Sequence, residues 1–186
     1  MTPDAVYTGD FNSDQEGSFV FLPFDVPPGQ TAARFKYCHD QPESPTSSRL
    51  RHTLDLGIYD SRPANGALWG QGEFRGWSGS GTSDVTIASN GYSSSPEDED
   101  PTRTDRGHLP GPIPMGEWGA ELGLASIVGR EGGDIDGKVN WRVEIDWTDD
   151  PSFASHPYQP AEYNSTPAKT KAGWYAGDLH ACRALA

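Results

Sequence analysis

Trp141-Arg-Val-Glu-Ile-Asp-Trp147 decides the fold. Trp141, Val143, Ile145 and Trp147 occupy alternate positions, with Arg142, Glu144 and Asp146 between them. A period of two puts the apolar set on one side of an extended chain and the charges on the other, as in a strand with one face on a core. Ala33-Arg-Phe-Lys-Tyr-Cys38 repeats the pattern, setting Ala33, Phe35 and Tyr37 against Arg34 and Lys36. Leu54-Asp-Leu-Gly-Ile-Tyr-Asp60 gathers Leu54, Leu56 and Ile58, and Asp84-Val-Thr-Ile-Ala88 is a shorter stretch rich in β-branched residues. Phe19-Val-Phe-Leu-Pro-Phe-Asp-Val26 is nearly all apolar and reads as a strand buried on both faces, stopped by the Val26-Pro-Pro-Gly29 turn. Trp118 to Val128 carries internal glycines that each cost a helix about 1 kcal/mol, so it too reads as a strand. Six such strands without an amphipathic helix predict an all-β chain, an antiparallel β-sandwich or jelly roll.

Composition agrees. Of 186 residues, 22 are Gly and 16 Pro, which fits many turns between short elements. Hydrophobic residues are only 34% of the chain, but the 6 Trp, 7 Tyr and 7 Phe bury much area each. Lys and Arg number 14 against 27 Asp and Glu, a net charge of −13 with no basic stripe, which excludes nucleic acid and anionic membranes as expected partners. No run approaches the roughly 18 apolar residues of a membrane helix, and the first residues do not read as a signal peptide. Cys38 and Cys182 match no spaced metal motif. They fit two reduced thiols of a cytoplasmic protein better than one long-range disulfide. The expected organisation is a sandwich over 1–148 with 78–106 largely loop, a Pro-rich linker over 149–171, and a short segment over 172–186.

That last segment holds Trp174-Tyr-Ala-Gly-Asp-Leu-His180. It resembles the opening of the catalytic domain in PHP (polymerase and histidinol phosphatase) metal-dependent hydrolases. Upstream, Phe24-Asp-Val-Pro-Pro-Gly29, Leu54 to Asp60, Phe74-Arg-Gly-Trp-Ser-Gly79 and His108-Leu-Pro-Gly-Pro-Ile-Pro-Met-Gly-Glu-Trp118 with Leu122-Gly123 narrow the resemblance to the CehA/McbA group. In that group a β-sandwich precedes the PHP domain. The resemblance implies hydrolysis of phosphoesters or carbamate esters by zinc, manganese or iron in the full-length family, with His180 as a metal ligand. Two imidazoles two positions apart at a strand end would grip one metal, and the metals would activate water. Here the chain departs from the pattern. Cys182 stands where the second histidine belongs, and no Ser-Asp-Gly follows. The resemblance therefore implies a metal-free, non-catalytic accessory sandwich joined to a truncated PHP start, with a PHP domain as its partner in cis in intact relatives.

Other residues carry competing readings. Arg75 and Trp77 could present a ligand-stacking or docking surface on a loop. The preferred structural alternative has Trp77 filling the end of the sandwich and Arg75 paired with Asp55 or Asp60. Trp141 and Trp147 belong with the core by their shared face, whereas Trp69, Trp118 and Trp174 are left open between core and a sugar-binding platform. His39, His52, His108 and His156 read as surface histidines. The acidic run Glu97-Asp-Glu-Asp100 lacks the spacing of a calcium loop. A carbohydrate-binding module and a small metal-dependent hydrolase using His180, Cys182 and a carboxylate such as Asp178 are the alternatives to the accessory-domain reading.

Overall fold

The computed structural model describes residues 3–61, 73–92 and 100–154. Eight strands form in them: β1 (Ala5–Asn12), β2 (Phe19–Val26), β3 (Ala32–His39), β4 (Thr53–Tyr59), β5 (Phe74–Gly79), β6 (Asp84–Ala88), β7 (Gly116–Ser126) and β8 (Lys138–Thr148). The first sheet has the order β1-β8-β3-β6 and the second β2-β7-β4-β5. All the strand pairs are antiparallel. First pairs with eighth, second with seventh, third with sixth and fourth with fifth. This is the double Greek key of a jelly roll.

Alternation explains why the sheets stack. Leu22, Phe24 and Val26 of β2, Leu54, Leu56 and Ile58 of β4, and Trp118, Ala120, Leu122 and Leu124 of β7 are buried and face Phe35, Val85, Ile87, Val139, Val143 and Ile145 of the other sheet. Each large side chain contributes about 1.5–3 kcal/mol by leaving water. Tyr37 crosses the core, its hydroxyl lying 3.1 Å from the Leu54 carbonyl and 3.3 Å from that of Gly79. Trp141 and Trp147 pack against this core at the two ends of β8, partly exposed.

Several expectations change. β1 carries only a weak alternation, yet it pairs with β8 along its whole length, from Ala5↔Ile145 to Asn12↔Lys138. Residues 74–79 are a strand and not a loop. β2 is not buried on both faces: it is the edge of its sheet, and Phe19 is 61% exposed. Residues 100–106 are a loop, but one end of it is packed and not wholly solvated. The Thr104 hydroxyl meets both backbone groups of Ala88, and Thr86 and Asp105 exchange hydrogen bonds, so this stretch lines the edge of β6. His52 and His108 are 2% and 1% exposed, not on the surface. The His52 ring accepts from the Val128 N–H at 3.2 Å through Nδ1 and turns Nε2 toward Asp134, 3.6 Å away. It joins the loop before β4 to the one after β7.

Candidate functional site

β5 has the sequence Phe74-Arg-Gly-Trp-Ser-Gly79. Strict alternation would put Arg75 and Trp77 on the same face. The structure puts them on opposite faces, because Phe74 lies opposite Tyr59, Gly76 opposite Ile58 and Trp77 opposite Gly57, so Arg75 is the extra residue of a bulge. Gly76 makes the bulge with φ +142°, a backbone state that side-chain-bearing residues rarely adopt.

Arg75 turns inward and is 6% exposed. Its guanidinium lies 5.6 Å from the ring centre of buried Trp118. It donates to the carbonyls of Leu109 (3.0 Å), Pro112 (2.9 Å) and Gly111 (3.3 Å) and to the Asp60 carboxylate (3.1 Å). Of the two expected carboxylates, Asp60 is the partner and Asp55 is not. The fork thereby holds the 109–112 segment over the end of the sandwich.

His108 stands beside this cluster, bridged through its backbone to Gly76, with no side-chain hydrogen bond at either ring nitrogen. Burial holds its pKa below the ordinary histidine value, outweighing an opposing effect of the Arg106 backbone, and the Arg75 charge adds a smaller push in the same direction as burial. The unfolded chain therefore binds a proton at a pH where the folded chain does not. Its contribution to stability is complete above the unfolded pKa and is lost as pH falls below it toward the folded value. Asp60, raised by burial, has the opposite sign at lower pH. Thermal midpoints of the parent and of His108→Gln, measured from about pH 7 to about pH 5, should show a shallower acid slope in the variant. Identical slopes would refute the assignment.

Trp77 turns outward, onto the face of the second sheet away from the core. It does not fill the end of the sandwich. Its ring atoms come within 2.5 Å of where a Cβ on Gly57 would stand and 3.0 Å of one on Gly123, so the indole lies flat across two bare backbone positions of β4 and β7. Phe19 rises against its edge at 6.3 Å and 61°. Phe21, Tyr59 and Phe74 continue the aromatic surface, with Tyr59 centred 5.4 Å from Phe21 and 5.3 Å from Phe74.

Two carboxylates border the indole. Asp55 Oδ1 and the indole Nε1 both lie beside Gly79, 3.7 and 3.5 Å from its Cβ position, and Glu121 Oε2 lies 3.3 Å from that of Gly57. Burial raises the pKa of each, and a hydrogen bond with the Tyr59 hydroxyl partly offsets the rise at Glu121. Among the described residues neither has an ion-pair partner. Alternation marks Asp55 as outward-facing. It does not reveal that Glu121, 8% exposed, is set among rings, because those rings come from three other strands.

The outer face of the first sheet differs. A depression of about 360 Å³ there, lined by residues including Lys36, Cys38, Asp84, Arg142 and Glu144, has charges that largely neutralise one another through the Arg34–Asp84 and Arg142–Glu144 pairs. The Cys38 thiol is free and exposed. His180, Asp178 and Cys182 lie outside the described residues, as do His156, Trp69, Trp174 and residues 97–99. Among the described residues no three His, Cys, Asp or Glu side chains converge to hold a metal, so the divalent ion implied by the resemblance has no donor set there. Nor, among them, is any helix long and apolar enough to cross a membrane. No model of a known protein family and no curated protein matches the chain.

Proposed function

We propose that this chain is a non-catalytic binding β-sandwich, an accessory domain of the kind that precedes the PHP domain in CehA/McbA-type hydrolases, and that it works through the outer face of its second sheet. One observation carries the reading. The outward face of an antiparallel sheet is ordinarily polar, whereas this one bears Trp77 lying flat on Gly57 and Gly123 with further rings beside it. Glycines on an outer face weaken strands, and here they make room for an indole plane parallel to the sheet. Such a surface suits recognition, and the net charge of −13 turns it away from phosphate backbones and anionic lipids. In relatives that carry a PHP domain, that domain would be the catalytic partner in cis, the sandwich contributing docking or substrate capture.

The test is an assay of the purified protein after incubation with zinc, manganese or iron, using phosphoester and carbamate-ester substrates. No turnover above the metal blank is expected. Turnover at stoichiometric bound metal would overturn the proposal, and its abolition by His180→Ala would assign that activity to the alternative hydrolase.

A further inference from the structure

We infer that Trp77, Asp55 and Glu121 form a subsite for a neutral saccharide, whose pyranose ring stacks on the indole while its hydroxyls donate to the two carboxylates. This rests on the binding reading above and names the ligand class. Three features of the site restrict what can fit.

The first is shape. The indole lies flat over Gly57 and Gly123, so its outward side is a single plane with Phe19 as a wall at 61°. A plane accepts the flat C–H face of a sugar ring. A cationic headgroup prefers rings that surround it, and one plane with one wall does not do so.

The second is donor–acceptor balance. Ionised carboxylates only accept, so the ligand must donate. Vicinal hydroxyls on the rim of a stacked pyranose point outward in the plane of the ring, toward groups at the edges of the indole. Asp55 Oδ1 and the indole Nε1 flank the same Gly79 position, and Glu121 lies beside the bed of Gly57. The Tyr59 hydroxyl beside Glu121 favours its ionised, accepting form.

The third is charge. Burial already raises both carboxylate pKa values, and no cation neutralises either among the described residues. An anionic ligand would meet two carboxylates on a chain of charge −13. A second copy of this face would set the same acids against each other. A neutral polyhydroxyl ligand avoids both penalties and supplies the missing donors.

The experiment titrates the full chain with neutral gluco-, manno-, xylo- and galacto-oligosaccharides to millimolar concentration, and in parallel with a lysine oligopeptide. Proton–nitrogen correlation spectra follow the indole Nε1–H of Trp77, assigned by its loss in Trp77→Phe. At least one glycan series should shift this signal saturably. Trp77→Ala should weaken that binding about tenfold or more, and so should Glu121→Gln, which keeps the platform and the shape of the side chain. Thermal unfolding of each variant identifies any that has lost its fold. Response to the peptide alone would overturn the saccharide while leaving a binding face. No response to any glycan would also overturn the saccharide, and the accessory-domain reading would then stand or fall on the separate hydrolysis assay.

Discussion

Replacing Arg75 by alanine is expected to remove about 3–5 kcal/mol of stability, because it takes the neutralising guanidinium from the part-buried Asp60 carboxylate and leaves the carbonyls of Leu109, Gly111 and Pro112 without this donor. The loss also opens space over Trp118, where the guanidinium now lies. Arg75→Lys keeps a charge but not the planar fork that reaches Leu109, Gly111 and Pro112 together, so it should recover only part of the loss. Urea midpoints of the parent and both variants measure this, provided the slopes agree. A loss for Arg75→Ala below about 1 kcal/mol would mean that the 109–112 segment is held by something other than this side chain.

Gly76→Ala should be as damaging while removing no contact at all. A Cβ there would stand 2.3 Å from the Gly107 carbonyl oxygen and 2.6 Å from the Cα of His108, both backbone atoms with no flexible side chain to yield. The φ of +142° adds strain of about 1–3 kcal/mol, and the overlap a similar amount. A total of about 3 kcal/mol would lower the melting temperature by roughly 6–12 °C in a domain of this size. The bulge should relax with it, so the indole of Trp77 would leave the Gly57–Gly123 bed and its Nε1–H resonance would move. An unchanged melting temperature together with an unchanged resonance would show that the bulge does not depend on Gly76.

The strands legible in the sequence are those with a strong period of two. β8, β3 and β4 announce themselves because burial on one face forces every second residue to be apolar. β1 escapes because only Phe11 of its eight residues is fully buried, so pairing with β8 and not hydrophobicity makes it a strand. β5 escapes because its bulge breaks the alternation at Gly76. His52 and His108 are misread as surface residues because a single polar residue between turns gives no sign of what later folds over it. In β2 an apolar run means a core face plus an aromatic outer face, a distinction that composition cannot make.

By itself the sequence determined that the protein is an antiparallel all-β sandwich and that its apolar faces are those of Leu54, Val143 and their alternates. Both follow from local periodicity, which is a property of neighbours along the chain. Only the tertiary structure decided the jelly-roll order, the inward Arg75 and the outward Trp77, and the gathering of Asp55, Glu121 and Trp77 from β4, β7 and β5. These depend on register between strands distant in sequence, and a one-residue bulge is enough to exchange one face for the other.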